Sequence, residues 1–225
     1  YVNPTITDWD ADGRPELIIG DINATLSWHR QAATPFDLAS AQAFRYQGAP
    51  LRAAWRQRAA VVGGGTQHQR LLYLNWQGIL SLAVPEIPGG IDLREPQTLH
   101  FVDGAGVKLD GPAGLWGRAK FATMDWDGDG TWDVVFGTNR SCQRFFSEAF
   151  AHKESSPFLL RNAGTETEPV FERPVPILLG DRELQFGVHI AAVWPSDMDG
   201  DGVNDLLIGA EDGRVYIFYR NELTP

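Results

Sequence analysis

The chain of 225 residues is long enough to bury one large core or two small ones, and its 43% hydrophobic and 21% charged residues are a globular rather than a disordered composition. No apolar run approaches the roughly 18–20 residues of a membrane-spanning helix, and a net charge of −10 argues against a nucleic-acid binder that works by neutralising phosphate. The 24 Gly and 14 Pro make a chain that turns often, as all-β proteins do.

In chain order, a strand is expected over residues 2–7. The acidic stretch Asp8-Trp9-Asp10-Ala11-Asp12-Gly13-Arg14-Pro15-Glu16 follows, then strands over 16–20 and 25–30. A degenerate copy over 58–63 and 70–76 keeps the apolar run and glycine but lacks the aspartates, so no metal is expected there. A strand over 119–124 leads into Asp125-Trp126-Asp127-Gly128-Asp129-Gly130-Thr131-Trp132-Asp133 and a strand over 132–137. The insertion 138–157, with Arg140, Arg144, His152 and Lys153, separates that strand from the next over 158–162. A strand over 188–193 leads into Asp197-Met198-Asp199-Gly200-Asp201-Gly202-Val203-Asn204-Asp205, followed by strands over 205–209 and 214–220. The outer segments echo one another as Arg30-Gln31-Ala32, Arg161-Asn162-Ala163 and Arg220-Asn221. The unit is thus four strands, repeated about three and three-quarter times, which points to a β-propeller of about four blades over approximately 1–47, 48–110, 111–186 and 187–225.

The three acidic stretches hold 12 of the 29 acids in one register, D-x-D-x-D-G-x-x-(D/E). Ca²⁺ is a hard cation that takes six to eight oxygens, and carboxylates at positions 1, 3 and 5 converge if the chain turns sharply at the Gly of position 6. Acidic surface turns would explain one copy, since Asp and Gly populate turns anyway; three in register outweigh that explanation. Position 12 is Ile19, Phe136 or Ile208, inside an apolar run, where an EF-hand would need a bidentate Glu. Three bound Ca²⁺ would move the formal charge from −10 to −4.

The pattern D-x-D-G-D-G-x-x-D followed by apolar residues and Gly resembles the FG-GAP/VCBS repeat of integrin α-subunit propellers and many secreted bacterial proteins. The resemblance implies a propeller with structural Ca²⁺ held by Asp8, Asp10, Asp12 and Glu16; by Asp125, Asp127, Asp129 and Asp133; and by Asp197, Asp199, Asp201 and Asp205. Members of that family usually have seven or eight blades. The chain therefore resembles half a propeller: a fragment, a partner for another copy, or a small closed ring. An extracellular, periplasmic or cell-surface location is expected. The first residues do not read as a signal peptide, so any such segment is expected to have been removed.

No hydrolase, phosphate-loop or zinc motif is present, Gly63-Gly64-Gly65 reads as a turn, and the single Cys142 reads as a small buried residue. Arg52, Arg56, Arg58, Arg118, Lys120 and His189 lie just upstream of the loops, or of the corresponding place in the degenerate copy. They form either an anion-recognising axial site or a set of charges that pair with loop aspartates or are solvated. Trp9 and Trp126 share a loop position and suit packing between blades, whereas Trp28, Trp76, Trp116 and Tyr46 are the surface candidates. Two functions follow. One is a secreted module that recognises polysaccharide or protein, with no nucleic-acid partner. The other is a polysaccharide lyase acting on uronates, with His189, Arg118 and Tyr46 as its catalytic candidates.

Overall fold

The computed structural model describes residues 2–32, 34, 37–63, 69–109, 118–139, 154–189 and 191–225. Among these the protein is all-β, with several small, mostly antiparallel sheets and one 3₁₀ turn, Arg220–Glu222. Among the described residues no helix is long and apolar enough to cross a membrane. The chain divides into two compact units, one built on 2–99 and the other on 100–109 with 118–225.

The first unit carries two four-stranded antiparallel sheets, each in simple chain order. The first is Asn3–Thr7, Glu16–Gly20, Leu26–His29 and Gln42–Ala43. The second is Ala60–Val62, Arg70–Leu74, Leu80–Ala83 and Gln97–Thr98. Alternation in Glu16–Gly20 puts Glu16, Ile18 and Gly20 inside, whereas Arg70–Leu74 and Leu80–Ala83 are buried at every residue. Strands covered on both faces read as continuous apolar runs. The core of this unit gathers Trp9, Ile18, Leu26, Trp28, Phe44, Leu71 and Tyr73, with Trp9 and Phe44 edge to face at 5.2 Å.

The second unit repeats the design. Lys120–Met124, Asp133–Gly137, Pro157–Leu160 and Val175–Pro176 form a four-stranded antiparallel sheet, and Ala192–Ser196, Asp205–Gly209 and Val215–Phe218 form a three-stranded one. Its core includes Met124, Trp126, Leu159, Phe186, Val193, Leu206 and Ile208.

In both units a glycine that ends the second strand of a sheet meets the chain just ahead of, or entering, the following sheet. A methyl on Gly20 would lie 2.2 Å from the Gln57 carbonyl oxygen, and one on Gly137 would lie 1.5 Å from that of Ala191. At these two places the glycine that closes the repeat pattern is a packing requirement.

Three expectations need correction. The strand expected over 188–193 is Ala192–Ser196, because residues 187–189 are taken up in a turn held by Glu211. The strands of the degenerate copy stand one place earlier in their sheet than the pattern predicts: Ala60–Val62 is the first strand and Arg70–Leu74 the second. Ala60–Val62 and Arg70–Leu74 therefore correspond to the strands that flank an acidic loop in the other sheets. Trp28 is buried at 6% exposure, not a surface platform, because its strand alternates Leu26 and Trp28 inward. Trp116, Cys142 and most of the 138–157 insertion, including Arg140, Arg144, His152 and Lys153, lie outside the described residues.

Candidate functional site

Each acidic stretch links the first strand of a sheet to the second, and each folds on its own hydrogen bonds. The position-1 carboxylate accepts from loop amides: Asp8 from Asp12 and Gly13 (both 3.0 Å), Asp125 from Gly128 (2.8 Å), Asp129 (3.1 Å) and Gly130 (3.0 Å), Asp197 from Gly200 (2.7 Å) and Gly202 (3.0 Å). At position 9 the carboxylate accepts the amide of position 2 at 2.9–3.0 Å in all three loops: Trp9 to Glu16, Trp126 to Asp133, Met198 to Asp205. Gly13, Gly130 and Gly202 sit at φ of +83°, +85° and +88°, the left-handed turn that draws the ends together. Position 4 is left-handed too: Gly128 and Gly200 suit it, whereas Ala11, at φ +59°, bears the strain of a Cβ there.

Three groups of carboxylates result that could hold a metal ion, each with ligand atoms within 4.8 Å of one another. They are Asp8, Asp10, Asp12 and Glu16; Asp125, Asp127 and Asp133; Asp197, Asp199 and Asp205. Asp129 and Asp201 stand outside these groups. One Asp129 oxygen is taken by the Thr131 amide (2.7 Å) and hydroxyl (2.6 Å), and one Asp201 oxygen by the Val203 amide (2.8 Å).

The first group is the most enclosed. Gly89 packs against the Asp10 backbone and Cβ, and the Trp9 indole donates to the Gly90 carbonyl at 3.1 Å. Glu16 is buried at 1% exposure; its Oε2 accepts from Trp9 N and Trp28 Nε1. Glu16 Oε1 and Asp10 Oδ1 are buried with no hydrogen-bond partner. Two orphaned carboxylate oxygens in one oxygen-only cage are costly without a cation, so the donor set fits a hard metal ion. Burial, with Asp10 adding repulsion, holds the Glu16 carboxyl above its ordinary range; burial does the same for Asp133, with Asp127 and Asp129 adding to it.

Arginines from the echoed outer segments complete two of the groups. Arg30 pairs with Asp10 and stands 3.6 Å from Asp12, and Arg161 pairs with Asp127. Arg220 instead donates to the Trp126 carbonyl (2.8 Å) and lies 3.9 Å over the Trp126 ring. The Arg-Asn/Gln echo is visible in the sequence, but its role as a counter-charge is not. Trp9 and Trp126 are buried, whereas Met198, at the same position, is 43% exposed.

The catalytic candidates fall in different units. Tyr46 is half-buried in the first, its hydroxyl accepting from Gln47 at 3.0 Å, while Arg118 and His189 belong to the second. His189 is exposed, and its Nδ1 pairs with Glu211 Oε2; Glu211 also accepts the amides of Val188 (2.8 Å) and His189 (3.1 Å). Those bonds hold Glu211 below the usual carboxylate range. His189, Glu211, Phe186, Asp212 and Tyr216 are among the residues lining a cavity of about 580 Å³.

Neither a scan against family models nor a search of curated proteins returned a match for this chain.

Proposed function

We propose that the protein is a calcium-stabilised β-propeller module of the FG-GAP/VCBS type that acts outside the cell in recognition of a polysaccharide or protein ligand. The observation that carries the reading is the first acidic group, in which Glu16 Oε1 and Asp10 Oδ1 are buried and unpartnered. Carboxylate oxygens without nitrogen or sulfur donors favour Ca²⁺ over zinc or copper. Asp8, Asp10, Asp12 and Glu16 would hold the first ion, Asp125, Asp127 and Asp133 the second, Asp197, Asp199 and Asp205 the third. Asp129 and Asp201 would join through a side-chain rotation or a water.

Support for blades comes from the four-stranded antiparallel sheets in chain order and from the contacts of Gly20 and Gly137 with the lead-in to the next sheet. The ions are structural: they would hold one end of the three sheets that carry an acidic loop and leave the other end to a ligand. Thermal unfolding in EDTA and in millimolar Ca²⁺, with metal content by mass spectrometry, tests the reading. A large calcium-dependent rise with three ions per chain is expected; no rise and no bound ion would overturn it.

One observation favours a second reading, a uronate lyase. The Glu211 carboxylate orients the His189 ring and leaves Nε2 directed away from the bond, as a general base requires. Such an enzyme yields an unsaturated sugar absorbing in the near ultraviolet, a signal that His189→Ala would abolish.

A further inference from the structure

Charge is segregated along the chain. Residues 38–85 contain no Asp or Glu but five arginines, Arg45, Arg52, Arg56, Arg58 and Arg70; this stretch carries +5 and the remainder −15. It spans the second sheet's first three strands and their lead-in, the sheet whose linking segment lacks the acidic pattern. Arg45 is committed to Asp92, at 2.8 Å. Arg70 sits at the end of the sheet nearest the 63–69 link, paired with Val62.

Arg52, Arg56 and Arg58 belong to the opposite end. The Ala53–Asn75 bridge and the Ala54 N–H donated to the Leu74 carbonyl (2.8 Å) bring the lead-in 52–57 alongside the turn after Leu74. Buried Gln57 locks it there, donating to the Leu74 carbonyl (2.7 Å) and accepting from the Leu74 amide (2.6 Å). Asn75 fixes the turn by accepting the amides of Gln77 (2.9 Å) and Ile79 (3.1 Å). On this rigid frame Arg52 lies 5.5 Å from the ring centre of Trp76, which is 53% exposed, and Arg56 lies 3.7 Å from that of Trp55. Arg56 is held at φ +62°, a strained backbone for a residue with a side chain. The half-buried Arg58 guanidinium is pushed down to about 10 by desolvation and stays a cation at neutral pH.

We propose that this end of the second sheet is a binding site for an acidic polysaccharide, with Arg52, supported by the charge of Arg56, reading its carboxylate or sulfate groups and Trp76 and Trp55 packing on its sugar rings. The inference rests on the recognition module proposed above and names its ligand. Arg52 is exposed beside Trp76, and a guanidinium so placed can bind carboxylate or sulfate with two parallel hydrogen bonds; Arg56, whose Nε is buried, adds positive charge on the same lead-in. Indole faces take the apolar face of a pyranose ring. The −15 carried elsewhere opposes long-range attraction of any polyanion, so binding rests on these local contacts, and a nucleic acid is the rival outcome of the test.

The test is calorimetric titration of the calcium-loaded chain at physiological salt with four probes: oligogalacturonate, a sulfated chondroitin oligosaccharide, neutral dextran oligosaccharide and oligothymidylate. Binding to one or both anionic glycans is expected, the two arms telling carboxylate from sulfate. Arg52→Gln and Trp76→Ala should each weaken it about tenfold, the scale of one lost charge-assisted hydrogen bond or stack. Both side chains are exposed, so the calcium-dependent melting temperature should not move. Equal affinity for dextran, preference for oligothymidylate, wild-type affinity in both variants, or no binding at all would each overturn the proposal. Loss of the calcium-dependent melting shift in the wild type would instead overturn the reading it rests on.

Discussion

At the scale of single residues, the acidic loops differ from one another in ways that can be measured. Ala11 occupies the left-handed position that Gly128 and Gly200 fill in the other two loops, at φ +59°. Relief of that strain, about 1–2 kcal/mol, outweighs the extra chain entropy of glycine. Ala11→Gly should therefore stabilise the protein by about 1 kcal/mol in denaturant unfolding, and a loss of stability would count against the backbone assigned to this loop. Glu16 gives a sign reversal. Its folded carboxyl titrates above the ordinary value of 4.5, so its contribution is full below that value and is lost as pH rises through the higher folded one. In EDTA at pH 7, Glu16→Gln should be more stable than the wild type, with the gap closing toward pH 4.5. In saturating Ca²⁺ the order should invert, and the metal content should fall from three ions to two. The same sign in both media would show that Glu16 is no ligand.

At the scale of elements, the glycine ending each second strand separates packing from propensity. A Cβ placed on Gly20 or Gly137 would meet a backbone carbonyl oxygen at 2.2 or 1.5 Å, whereas at Gly209 the nearest atom would be 3.8 Å away. Gly137→Ala and Gly20→Ala should each cost about 2–3 kcal/mol or more, the scale of overpacking, while Gly209→Ala should cost under about 1 kcal/mol. Equal effects at all three would mean the close approaches are absent in solution. Much of this level is legible in the sequence. The acidic loops and apolar runs carry their own periodicity, and the strands Glu16–Gly20 and Asp205–Gly209 lie where the pattern puts them. The second sheet is harder to register, because without aspartates to anchor it Ala60–Val62 and Arg70–Leu74 both read as short apolar runs beside an arginine. Trp28 has no counterpart in the other copies, so the repeat says nothing of its burial, which is set by the alternation of its own strand. The arginine partners of Asp10 and Asp127 lie 20 and 34 residues away from them, a pairing no local pattern encodes.

At the scale of the whole molecule, three calcium ions in the acidic groups would tie the stability of the chain to one variable, the calcium concentration. A ligand at a hundred times its dissociation constant stabilises by about 2.7 kcal/mol per site, so three sites give about 8 kcal/mol, or roughly 20 °C in a chain of this size. A scan of melting temperature against free Ca²⁺ should rise by that order and keep rising logarithmically past saturation. A rise of only a few degrees would mean that one group at most holds an ion. The loops are already wound by their own amides onto Asp8, Asp125 and Asp197. An arriving ion would therefore have no loop to fold, and uptake should proceed at the pace of shedding its hydration water. Three occupied sites would then differ in residence time: the enclosed first group would release its ion slowly, and the two more exposed groups would exchange with the surroundings far faster.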